Sequence, residues 1–385
     1  MRCVVGLLLL TAAVGADPDG AIAEPTRWTG PHGPASNSRR SRALAVTRDV
    51  VEAWATKLPG VSVAPPVTWD GTIYALCAAR KGHILCGIDL RTGKLKAKKQ
   101  LPKAPAGELH TWGRNVFVQS SDRQLSAFRM AGGSFIQSWK CNDIDPQSVR
   151  VYESEIYARS GHSIVRLSLA ESKPIWSATD DYIGPLAIYG NYIFCQSGGQ
   201  DDSKIAALRR RDGSQAARKL VAWIDGDSPM SAQLMVGPNQ ILLSPGSSFR
   251  TQGGSATHAF VPVTHSTRGA PRIGKCDGLS SFGTWPAACR DGVITMEAGR
   301  TWMWWTKKGG AVLAERKWTP DLFVDRVAPT VVGDVAYFGK WAADIVTGEI
   351  LWRLPVRGVK HPPVPADKLI VIVDLKDTMR GYRER

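Results

Sequence analysis

A tryptophan that recurs at a near-constant interval limits what this chain can fold into. Trp54, Trp139, Trp176, Trp223, Trp318 and Trp352 each close a unit of short β-branched or aromatic runs separated by Gly or Asp-Gly turns. Their successive spacings are 85, 37, 47, 95 and 34 residues. Two intervals are about double the rest, so two further units, near Ala97 and near Arg272, are read as having lost the Trp. The best-preserved unit runs Asp70-Gly71-Thr72-Ile73-Tyr74, then Gly87-Ile88-Asp89-Leu90-Arg91-Thr92-Gly93-Lys94-Leu95. Its nearest copy runs Gly333-Asp334-Val335-Ala336-Tyr337, then Ala343-Asp344-Ile345-Val346-Thr347-Gly348-Glu349-Ile350-Leu351-Trp352. The shared Asp-x-x-Thr-Gly has a mechanism: Asp and Thr side chains bond turn amides, and Gly takes the positive φ of a tight hairpin. Degraded copies precede Trp139 (Ala131-Gly132-Gly133), Trp176 (Ala170-Glu171-Ser172), Trp223 (Arg211-Asp212-Gly213) and Trp318 (Lys308-Gly309-Gly310).

Units of about 40 residues with four short strands each are the sequence mark of a β-propeller. The 336 residues from Val50 to Arg385 divide into eight units of 42. No stretch with helical periodicity interrupts them, which argues against a helix-rich enzyme. The expected fold is all-β: an eight-bladed propeller of four-stranded antiparallel blades over residues 50–385. Seven blades is the alternative, because the unit from Met230 to Cys276 is irregular. The last unit, from Val364, has room for only two or three strands. Val50 to Pro59, which carries the same Trp and Pro, is therefore expected to supply its outer strand and remove the exposed edge.

Residues 1–16 combine Arg2, an apolar run from Val4 to Leu10 and the small-residue exit Thr11-Ala12-Ala13-Val14-Gly15-Ala16. This is the pattern of a cleavable secretory signal; Asp17 and Asp19 end the run short of a membrane span. No second apolar span follows, so a periplasmic or secreted product without a transmembrane segment is expected. Residues 17–49, rich in Pro, Gly, Ser and Arg, read as an extended arm.

Six cysteines follow the signal. With a two-residue turn at Lys81-Gly82, Cys77 would face Cys86 as a non-hydrogen-bonded pair, close enough for a cross-strand disulfide. Cys276 and Cys289 form a second, weaker candidate pair. Cys141 and Cys195 read as buried small hydrophobes.

Gly-x-x-Tyr, then Asp-x-x-Thr-Gly, then Trp, resembles the repeat of pyrroloquinoline-quinone-like β-propellers, and Trp28-Thr29-Gly30-Pro31 looks like the opening common in exported members. The resemblance spans roughly 50–385 and is strongest in two units. It implies eight four-stranded blades with the repeat Trp packed between them. The family divides into quinone-dependent dehydrogenases and non-catalytic propellers, among them an outer-membrane-protein assembly lipoprotein. The dehydrogenases resemble this chain only in their repeats. Their site requires Glu, Asn and Asp ligands for calcium, a catalytic Asp and a disulfide between adjacent cysteines, and this chain has no adjacent cysteine pair. It also departs from the lipoprotein, lacking a lipidation cysteine and being more basic.

Side-chain chemistry gives few other signals. The seven His are scattered, His258 and His265 being nearest to a pair, and these are read as part of a solvated loop rather than as a metal or catalytic site. Asp180-Asp181 and Asp201-Asp202 lack the spaced loop of calcium sites and read as turn residues. Trp302-Met303-Trp304-Trp305 is read as a strand buried on both faces, with an aromatic platform for a sugar or peptide as the alternative. With 49 Lys and Arg against 34 Asp and Glu, the net charge is +15. Basic clusters stand at Arg39-Arg40-Ser41-Arg42, Arg91 to Lys99, Arg209-Arg210-Arg211 and Arg380 to Arg385. Such a protein meets anionic surfaces outside the cytoplasm; specific nucleic-acid binding is not expected. The leading expectation is a monomeric, exported, non-catalytic propeller that binds a protein or an anionic envelope component, with no cofactor and no catalytic residue assigned. A quinone-dependent dehydrogenase using pyrroloquinoline quinone and calcium is the alternative, and a carbohydrate-binding module a weaker one.

Overall fold

A computed structural model describes residues 40–41, 45–145, 148–152, 155–171, 173–198, 204–220, strands and short connections between 233 and 318, and 327–385. Every regular element among them is a strand, arranged in eight sheets. In chain order the sheets span 61–101, 105–141, 150–179, 182–220, 233–282, 287–318 and 330–353, and then Val364–Glu384 joined by Val50–Lys57. Apart from the fifth, each is an antiparallel meander of four strands, with local additions in the first and seventh. Strands such as Tyr192–Ser197 are buried almost throughout, because each sheet is covered on both faces by its neighbours.

The fifth sheet explains the irregular unit. Its strand Ala256–Thr264 pairs with Gly278–Phe282 through Phe260 and with Arg272–Ile273 at its far end, so one strand serves two partners. In the first sheet, Pro65 and Pro66 split the inner strand into Val61–Ser62 and Val67–Trp69, since proline cannot donate to a ladder.

The opening segment pairs with the chain's last strand, with Trp54 opposite Gly381 and Lys57 opposite Thr378. One apolar cluster joins Val364, Val371 and Met379 of the eighth sheet to Val67 and Ile73 of the first and Leu109 and Val116 of the second. Another joins the seventh sheet to the eighth through Tyr337, Trp352, Ile370 and Tyr382. Sheets thus pack in chain order, and the last lies against the first.

The segment expected as a free arm is already part of the fold before Val50. Arg40–Ser41 pairs in parallel with Val331–Val332, part of the inner strand of the seventh sheet. Val46 is fully buried, its N–H donating to the Tyr337 hydroxyl at 2.8 Å. The reason is the break in the eighth sheet. Its third and fourth strands come from opposite chain ends, so no covalent turn joins them and residues 46–49 occupy that place. Residues 1–39 and 42–44, which include the segment read as a secretory signal, lie outside the described residues.

Candidate interaction face and the repeat tryptophans

The repeat Trp is placed by a β-bulge. In seven outer strands one extra residue precedes the repeat position, which is occupied by Trp54, Ala97, Trp139, Trp176, Ala217, Ala314 and Trp352. The missing Trp expected near Ala97 falls on Ala97 itself. Two assignments move. In the sixth sheet the repeat register belongs to Ala314, opposite Trp305, whereas Trp318 lies four residues on, opposite Thr301. In the fourth it belongs to Ala217, and Trp223 lies outside the described residues. Arg272 pairs with Thr264 in a two-residue strand and shows no such bulge. Spacing by Trp alone misled here, because a Trp a few residues downstream imitates the period.

At three of the four described Trp positions the indole N–H reaches a backbone carbonyl of the next sheet's outer turn. Trp54 donates to Leu90, Trp139 to Ser168 and Trp176 to Arg210, at 2.8, 3.0 and 3.0 Å. The turns are built as their sequence implies. Asp89 Oδ1 accepts the N–H of Arg91 and Thr92 and the Thr92 hydroxyl, while Gly93 stands at φ +70°. Asp344 accepts the N–H of Val346 and Thr347, with Gly348 at φ +77°. In the third sheet Ser168 takes the role of Asp, accepting from Ala170 and Glu171. Trp352 has no such turn ahead of it and donates instead to the Val46 carbonyl at 2.9 Å. There the Glu384 carboxylate accepts the N–H of Thr47 and Arg48 and the Thr47 hydroxyl. These are the three kinds of donor that Asp89 accepts, now supplied across the two chain ends. The four described repeat Trp are therefore seam residues.

Cys77 and Cys86 share a face of one hairpin, but the register differs from expectation. The turn residues are Arg80 and Lys81, so Ala79 faces Gly82, Cys77 faces Ile84 and Cys86 faces Ala75. A Lys81-Gly82 turn would have forced Lys81 to positive φ. Placing the turn one residue earlier lets Gly82 alone take it, at +113°. The slide by two keeps both thiols on one side, diagonal rather than opposite. They are buried and unlinked, and the hydrogen bond to Cys86 together with burial pushes the Cys77 thiol up. Cys276 and Cys289 lie outside the described residues. Cys195 is fully buried, as expected, and Cys141 half-buried.

Three of the basic clusters each give one cation to an internal ion pair. Arg210 stacks 4.3 Å from the Tyr152 ring and pairs at 2.5 Å with Glu155, which also holds Arg166. Lys96 pairs with Asp89 at 2.9 Å. Arg380 bridges Glu52 at 2.6 Å and Asp374 at 3.1 Å. Asp180 binds Arg218 at 2.7 Å, and Asp201-Asp202 and His265 lie outside the described residues, while His258 pairs with Ser280 in the split strand. Trp302 to Trp305 form part of a central strand of the sixth sheet.

The ring face formed by second-to-third-strand turns and sheet-to-sheet connections carries a further group of charges. At the junction of the eighth and first sheets, Ser62 donates its N–H to Asp377 at 2.8 Å and accepts or donates to His361 Nε2 at 3.0 Å, so the connection 58–66 lies on the turn 374–377. Lys360 pairs with Asp377 at 2.6 Å, and Lys57 Nζ donates to the Lys376 carbonyl. Burial drives the His361 imidazole down to about 4, so it is neutral near pH 7. Val61, Val63 and Leu375 stand outward there, 51%, 42% and 56% exposed. Ser62, between the two valines, points inward as strand alternation requires.

On the inner strands, Arg150 is buried with Glu108 at 3.5 Å, and His110 lies 4.0 Å from the same carboxylate. Glu108 is thus held by a cation. Among the described residues no three His, Cys, Asp or Glu converge as metal ligands. No described helix is long and apolar enough to cross a membrane.

No family model matches the chain, and no curated protein matches it. Solved structures do. BamB from Moraxella catarrhalis matches with TM-score 0.58 at 14% identity, covering 88% of this chain and 98% of its own. A europium-containing methanol dehydrogenase matches with TM-score 0.58 at 12% identity, covering 91% and 89%. The computationally designed Ika8 protein matches with TM-score 0.59 at 12% identity, covering 89% and 99%. At these identities the likeness shows the fold alone: the chain shares the β-propeller architecture of these structures.

Proposed function

We propose that this protein is an exported, envelope-associated propeller without catalytic activity that recruits a partner protein through the ring face at the junction of its last and first sheets. The exposed trio Val61, Val63 and Leu375 carries the reading. Three large apolar side chains grouped on one surface and rimmed by Lys57, Lys360 and Lys376 have the composition of a docking patch. The leader-like start supports export, and the shared fold with BamB is in keeping with an envelope role. The test is affinity capture from envelope extract with the purified full chain at several salt concentrations. A partner retained at moderate salt is expected; no retained partner at any salt refutes the proposal.

A further inference from the structure

Next to the docking patch lies an open pocket of about 660 Å³ lined by Lys340, Arg353, Leu354, Pro355, Val356 and Arg357. Its volume falls in the range of ligand sites. From it we infer that the pocket receives an acidic segment of the partner protein, a carboxylate flanked by an apolar side chain. The inference rests on the docking reading above and names the chemistry of the partner.

Four observations converge. Lys340, Arg353 and Arg357 all line the pocket, and none of them forms an ion pair with a described carboxylate. Uncompensated cations around a concave surface raise the local potential and draw anions in. Two of the cations, Arg353 and Lys340, are also held in place. The Arg353 guanidinium lies 4.7 Å from the Trp341 ring, Lys340 Nζ donates to the Arg357 carbonyl at 3.0 Å, and the Leu354 N–H donates to the Lys340 carbonyl at 2.8 Å. An arginine fork fixed on an aromatic ring matches a carboxylate with little ordering cost. The remaining lining is apolar: buried Leu354, half-buried Val356 and exposed Pro355. Finally, the pocket is continuous with the patch, since Leu375 donates its N–H to the carbonyl of Gly358, the residue after Arg357.

A peptide suits this surface better than an anionic membrane. Asp122, Asp143 and Asp181 stand exposed in turns and connections of the same ring face. A flat anionic bilayer would meet those carboxylates together with the cations, whereas a short segment meets the pocket alone.

The experiment uses the full chain and a fluorescent Glu-Glu-Leu-Glu-Glu peptide, read by anisotropy at low salt. The double variant Arg353→Ala/Arg357→Ala is expected to weaken binding about tenfold or more. The pair Arg91→Ala/Arg211→Ala, on turns of the opposite face, should leave it within about twofold. Arg357→Glu should act in the same direction as the double variant, with circular dichroism confirming the fold. Equal losses from both pairs, or no saturable binding, overturn the inference. So does binding of phosphatidylglycerol vesicles in place of the peptide. Partner capture that persists in Arg353→Ala/Arg357→Ala sinks the pocket but leaves docking at Val61, Val63 and Leu375 standing. Absence of capture by the unaltered protein sinks the docking reading itself.

Discussion

Gly93 and Trp54 lie 39 positions apart in the chain and form one contact. A Cβ built on Gly93 would stand 2.6 Å from the Trp54 ring, and the residue also holds φ +70°. Gly213 meets Trp176 in the same way. The repeat's Gly is therefore required both by its turn and by the indole of the preceding sheet. Gly71 separates the two demands, with φ +67° but no atom within 4 Å of a built Cβ. Gly71→Ala should cost about 1–2 kcal/mol from backbone strain alone. Gly93→Ala should cost about 2–5 kcal/mol, because overpacking against the ring adds to the strain. Urea unfolding of both variants measures the difference. Equal costs would mean that the indole simply moves aside.

The eighth sheet is the element where chain ends meet, and its fourth strand is held by Glu384, Thr47 and Arg48 in place of a turn. Glu384→Ala removes all three acceptances at once. Faster hydrogen exchange is expected along Val50–Lys57, with exchange in Thr72–Ala79 unchanged; uniform acceleration would instead indicate global loosening. The same junction carries a pH dependence. The His361 pKa falls from 6.5 to about 4 on folding, so the unfolded chain binds more protons between those values. Stability should therefore be full above about pH 6.5 and decline as pH falls toward 4, by at most about 3 kcal/mol. His361→Gln should flatten thermal unfolding midpoints across that window. An unchanged slope would show that His361 is not the group responsible. Asp377, held low by Lys360 and the Ser62 N–H despite partial burial, adds its own loss only at still lower pH.

Across the whole molecule the net charge of +15 misdirects a linear reading. In the densest basic runs, Arg210 and Arg380 are tied to Glu155, Glu52 and Asp374, while the cations gathered in the pocket, at 340, 353 and 357, are scattered in sequence. The proposed docking patch belongs to the same scale, because Leu375 and the Val61–Val63 segment share a face only where the last sheet packs on the first. Val61→Asp/Leu375→Asp should abolish partner capture while leaving circular dichroism unchanged. Capture that survives the pair would place the interface elsewhere. Among the solved structures that share this fold are BamB and a methanol dehydrogenase, so the architecture itself does not select a task.

Local chemistry made the repeat legible from the chain alone. Alternating apolar runs and Asp-x-x-Thr-Gly turns are matters of backbone conformation and nearby side chains, which act over a few residues; the pairing of Val50–Lys57 with the last strand joins opposite chain ends and was legible only because the final repeat is one strand short. Register was harder. Whether Ala314 or Trp318 holds the bulge, and whether the hairpin turns at Arg80-Lys81, depends on small differences in φ cost and cross-strand packing that residue identity does not display. The cationic pocket and the apolar patch could not be read from sequence at all. Their members come from separate turns and connections, and only the stacking of sheets, driven by burial on both faces, brings them together.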